Sequence, residues 1–192
     1  MPMLRRFVLL SPFALVACAE DEPVRSFAPL RYDFLTPLRL NVGSVDFAPA
    51  PPPGPLDGVS PVPAAESLRQ MAQDRLSAGG SSGQAVVTIE EARLTRAGNS
   101  LEGTMALRVD VVAADGSKSG FAEARVSRSR TGLGRDIRGP LYDMTKQMLE
   151  DMNVELEYQL RLSLRDYMQS AAPAPAPGPV EKQDLPAPSR IF

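Results

Sequence analysis

One cysteine, no histidine and eight methionines bound the chemistry open to this 192-residue chain. Without histidine there is no imidazole base, and a lone cysteine gives neither a Cys/His zinc site nor an internal disulfide. Thioethers bind Cu(I), and Met144, Met148 and Met152 recur every four residues. On an apolar helical face that spacing reads as core filling, because methionine packs irregular gaps. Glu90 and Glu91 with Glu102, or Glu150 and Asp151 with Glu155 and Glu157, offer paired carboxylates for acid–base work, but each group reads better as a solvated face. Gly132-Leu133-Gly134-Arg135 has no lysine–serine pair behind it to make a phosphate loop. Ser117-Lys118 and Ser127-Arg128-Ser129-Arg130 lack a third member for nucleophilic catalysis. No catalytic residue and no metal ligand is assigned, and an enzyme is not expected. The basic run Arg125, Arg128, Arg130, Arg135 and Arg138 has two readings: one positive patch for anionic lipid or an acidic partner, or a solvated strand edge that prevents aggregation.

The amino terminus carries a sharper signal. Residues 1–6 end in Arg5-Arg6, residues 7–16 are almost wholly apolar, and Ala17-Cys18 follows, the pattern of a secretory signal with a small-residue cleavage site. The apolar run is broken by Ser11 and Pro12 and falls well short of the about 20 residues that a spanning helix needs. Loss of residues 1–17 removes Arg5 and Arg6 and leaves 19 basic against 23 acidic groups, a net charge of −4. Such a charge carries no nucleic-acid footprint.

Leu15-Val16-Ala17-Cys18 resembles the lipobox of bacterial lipoproteins. That resemblance implies a diacylglyceryl thioether on Cys18, cleavage before it, and acylation of the new amino terminus, with no other cofactor. Ala19, where the family's aspartate would favour the inner membrane, implies lipid anchoring in the outer membrane, facing the periplasm. Each buried methylene is worth about 0.8 kcal/mol, so two or three palmitate-length chains anchor almost permanently. An ordinary signal peptide with a cysteine placed by chance is the competing reading.

The remaining chain must supply the body. Nineteen prolines are too many for one compact core and must concentrate in connections. Residues 18–37 read as a lipidated tether of extended, proline-containing chain, and 170–192 as a disordered Pro/Ala-rich tail. Residues 38–169 read as one domain. Within it, 38–47 alternate with a parity switch at Gly43-Ser44, which predicts a bulged strand. Residues 48–63 form a proline-rich loop. Ala65, Leu68, Met71, Ala72 and Leu76 predict a helix from Ala64, stopped by Gly79-Gly80. Three alternating segments from Gln84, Leu101 and Gly120 predict a meander with turns at Ala97-Gly98-Asn99-Ser100 and Asp115-Gly116. From Pro140, Leu141, Met144, Met148, Met152, Leu156, Leu160, Leu164 and Met168 predict a helix of about 28 residues.

The order β-α-β-β-β-α predicts an α+β two-layer sandwich: a four-stranded, mainly antiparallel sheet with two helices on one face. Together with the lipobox, this order resembles small envelope lipoproteins that assist outer-membrane transport, among them the lipopolysaccharide-assembly lipoprotein and the auxiliary lipoproteins of ABC-type lipid transporters. The resemblance implies a non-enzymatic accessory or assembly component of an envelope transport complex, with a membrane protein as partner. A periplasmic lipid-binding or small-molecule-binding lipoprotein, using a groove between sheet and helices, is the alternative.

Overall fold

Leu101, Met105, Leu107, Val109 and Val111 are fully buried, and the strand that carries them is the centre of the fold. The computed structural model describes residues 26–116 and 119–169. The expected signal peptide, Cys18, the Ser117-Lys118 pair and the expected tail 170–192 lie outside the described residues. In chain order the elements are β1 (Leu38–Leu40), β2 (Ser44–Phe47), α1 (Ala64–Arg75), β3 (Leu76–Ala78), β4 (Gln84–Ala97), β5 (Ser100–Val112), β6 (Ser119–Thr131), α2 (Arg138–Ser163) and a 3-10 turn, Arg165–Tyr167.

The main sheet runs β2-β4-β5-β6, with β2 parallel to β4 and the other pairs antiparallel. This is the expected α+β arrangement of two helices with a mainly antiparallel four-stranded sheet. The β4–β5 hairpin closes with Ala97 opposite Ser100, and Gly98 at φ 60° supplies the left-handed first position that such a two-residue turn requires. A bulge between Ile89 and Glu91 shifts the buried parity of β4 from Ala85, Val87 and Ile89 to Ala92 and Leu94. On β6 the helix-facing row begins Gly120, Ala122, Ala124, small residues that let α2 approach closely. Met144, Met148 and Met152 lie in the core, and Met148 Sδ comes within 2.5 Å of where a Cβ on Gly103 would stand. The methionine stripe is thus packing material, as its spacing suggests.

The bulged strand expected over 38–47 is instead two strands in two sheets. At Gly43 the backbone N–H meets the carbonyls of Ser82 and Gly83, both at 3.0 Å. That close approach turns the chain, leaving β2 beside β4 while β1 pairs in parallel with β3, Leu38 opposite Leu76. Helix α1 ends at Arg75, and the chain enters β3 directly, before the Gly79-Gly80 stop expected from sequence. The last helix spans 26 residues, about 39 Å at 1.5 Å per residue. Its final expected turn is the 3-10 segment, which closes on β1 through Gln169 N–H to Arg39 O at 3.0 Å. The proline-rich loop folds back on itself, Asp57 accepting the Gly54 N–H at 2.7 Å and Val62 reaching the core.

Candidate functional site

Residues 26–37, read from sequence as part of a tether, lie along the body as a strap. The Arg31 guanidinium forks onto Asp74 of α1, Nε to Oδ2 and Nη2 to Oδ1 at 3.0 Å each. The same carboxylate accepts the Tyr32 N–H at 2.8 Å and the Gln70 amide at 2.8 Å, and its side chain is only 5% exposed. Burial pushes the Asp74 carboxyl up, but the Arg31, Tyr32 and Gln70 bonds outweigh it and hold the group below its ordinary value. Tyr32 is itself buried, and burial with the nearby Glu150 charge pushes its phenol up to about 12. The strap begins at the start of α2: Phe27 packs on Tyr142 with ring centroids 5.2 Å apart, and Arg138 lies 5.4 Å over the Phe27 ring.

The arginines singled out from sequence divide between surfaces. Arg125 points to the sheet face away from the helices and pairs with Glu91 at 2.9 Å. Strand alternation puts Arg128 and Arg130 on the helix-facing row, beyond Val126. There Arg128 forks onto Asp151, Nε to Oδ2 at 2.5 Å and Nη2 to Oδ1 at 3.0 Å, and reaches Gln147 at 3.2 Å. Arg130 approaches Asp143 at 3.6 Å. Arg130, Arg135 and Arg138 are therefore gathered around the first turn of α2, beside the start of the strap, whereas Arg125 is apart from them.

Sequence reasoning missed Arg75. At the end of α1 it is 3% exposed and pins α1 to α2: Nη2 to Glu157 Oε2 at 2.8 Å, Nε to Asn153 Oδ1 at 2.6 Å, and Nη1 to the Thr36 carbonyl. Burial lowers its pKa, Glu157 raises it, and Arg161, bound to the other Glu157 oxygen at 2.6 Å, lowers it. Its partners are 78 and 82 residues away in the chain, beyond any local pattern. Beside this pin lies a groove of about 980 Å³ between β1, the end of the strap and the second half of α2. A second, about 710 Å³, borders β5, β6 and α2, where Arg108 is closed by its own fork onto Asp110 and lies 4.0 Å over Phe121.

Helix α2 also turns an apolar row to solvent. Val154, Tyr158 and Leu162, spaced by four, are 67%, 58% and 63% exposed. Among the described residues, no group of three or more His, Cys, Asp or Glu could hold a metal ion, and no helix is long and apolar enough to cross a membrane.

No protein-family model matches the chain, and no curated protein sequence does. Among solved structures it is similar to protein XCC0632 of Xanthomonas campestris, of the DUF330 family, with 13% identity over 65% of this chain and 85% of that one and a TM-score of 0.40. It is also similar to a candidate lipoprotein of Caulobacter crescentus, with 15% identity over 64% and 91% of the two chains and a TM-score of 0.35. The lipoprotein GNA1162 of Neisseria meningitidis gives 14% identity over 56% and 98% and a TM-score of 0.23. At these values the likeness assigns no residue a role.

Proposed function

We propose that this chain is a bacterial lipoprotein, anchored through Cys18 in the outer membrane and serving as a non-enzymatic accessory or assembly component of an envelope transport complex. The observation that carries this reading is the strap. Because residues 26–37 are bound to the body, only eight peptide steps separate Cys18 from Ser26. At roughly 3.5 Å per residue they span at most about 28 Å. A lipidated Cys18 therefore keeps the first turn of α2, with Arg130, Arg135 and Arg138, close to the headgroups, where positive charge is favoured beside anionic lipid. Leu162 is 20 residues further along α2, about 30 Å away. The exposed apolar row at Val154, Tyr158 and Leu162 is the surface that this reading gives to a protein partner.

The anchor is tested by intact mass and membrane fractionation. The mature chain should begin at Cys18 and carry acyl mass, and Cys18→Ser should leave precursor or release the protein; normal processing and attachment in that variant would remove the basis of the proposal. The partner surface is tested with Tyr158→Asp combined with Leu162→Asp. These changes should abolish co-purification of an envelope membrane protein from mildly solubilised cells while leaving the anchor and fold unchanged.

A second reading, a periplasmic lipid-binding or small-molecule-binding lipoprotein, is favoured by one observation, the groove beside Arg75.

A further inference from the structure

The groove at the distal end of α2 is lined by the apolar Leu35, Pro37, Leu38 and Met168 and by Arg39, Arg75, Arg161 and Arg165. Four guanidinium groups face a single carboxylate there, Glu157, whose two oxygens are already engaged by Arg75 and Arg161. Arg39 and Arg165 have no side-chain partner among the described residues. The negative end of the α2 dipole offsets part of this charge, about half an elementary charge, which leaves a clear positive excess.

Two exposed cations bordering one concave, partly apolar site are more than solvation of the surface requires. Their forks match the oxygens of a phosphate group, which accepts paired N–H donors, while the half-buried Leu35 and Met168 suit a hydrocarbon body. We infer that this groove binds an amphiphile with an anionic phosphomonoester headgroup, its phosphate held between Arg39 and Arg165 and its apolar part laid along Leu35 and Met168. The inference rests on the second functional reading and not on the anchor. Arg75 stays with Glu157 and Asn153 as the rigid floor.

The test is titration of the purified full chain with three probes: dihexanoyl phosphatidic acid below its micellar concentration, inorganic phosphate, and dihexanoyl phosphatidylcholine. Each is repeated on Arg39→Gln with Arg165→Gln. Both side chains are exposed, so the double variant should keep its circular dichroism and melting temperature. Phosphatidate should bind at least tenfold more tightly than inorganic phosphate or the choline lipid, and the double variant should lose at least tenfold. Equal binding of phosphatidate and inorganic phosphate, lost together in the variant, would overturn the amphiphile and leave a site for free phosphate. Binding that survives both substitutions, or no binding of either phosphate probe to the unaltered chain, overturns the inference. Cys18→Ser, whatever it does to membrane attachment, should leave these affinities unchanged, so failure of the anchor and failure of the groove are distinguishable.

Discussion

Helix α2 is held on its two flanks by arginines, and the flanks differ in what surrounds the charge. On the β6 side, Arg128 forks onto Asp151 with side chains 42% and 40% exposed. On the α1 side, Arg75 bridges Glu157, Asn153 and the Thr36 carbonyl with its own side chain only 4% exposed. Both are charge-assisted forks onto the same helix, but water competes for the first and barely reaches the second. The lesson is that charge contributes to holding α2 in proportion to the cost of leaving its partners unmet, not to the number of ion pairs drawn.

Removing each arginine should separate the two flanks. Arg75→Ala strips a buried cation from acceptors that have little other company and should cost about 3 kcal/mol, the low end of the range for breaking a buried pair because Glu157 keeps some solvent and Arg161. Urea unfolding would read it, and a loss below 1 kcal/mol would mean that the pin is incidental. Acid provides a second separation, through Asp74 under the strap. Its folded-state pKa lies below the ordinary 3.8, so its contribution is present above that value and is lost as pH falls through the folded pKa. The hydrogen-exchange protection of the Tyr32 amide should therefore fall below pH 3.8 while that of the β5 amides persists. Simultaneous loss at both places would mean that the strap is part of one cooperative unit with the sheet. Arg128→Gln should have the smallest effect, at most about 1 kcal/mol, and 0.5 M salt should mask part of it.

The legible parts of the fold are those whose pattern is local. Alternation at Leu101 to Val111 and at Ala122 to Val126, the Gly98 turn, and the four-residue recurrence from Leu141 are each decided within a few residues, and the structure keeps them. What sequence could not reveal is decided at a distance. The split of 38–47 follows from Gly43 meeting Ser82 and Gly83, some 40 residues on. Strand β3 is three residues long and exists only because β1 lies beside it. The prolines of the strap speak for extended chain that can lean on the domain, but not for where it docks; Arg31 and Asp74 are 43 residues apart. The arginine run shows the same limit. Its residues are adjacent in sequence, but strand parity sends Arg125 to one face and Arg128 and Arg130 to the other.

The brevity of the link between Cys18 and Ser26 has a consequence for encounter. If Cys18 carries acyl chains as proposed, a globule held within about 28 Å of a bilayer would search for any counterpart by lateral drift along a surface rather than through a volume. Contacts too feeble to persist in dilute solution then gain the effective concentration of an intramolecular event.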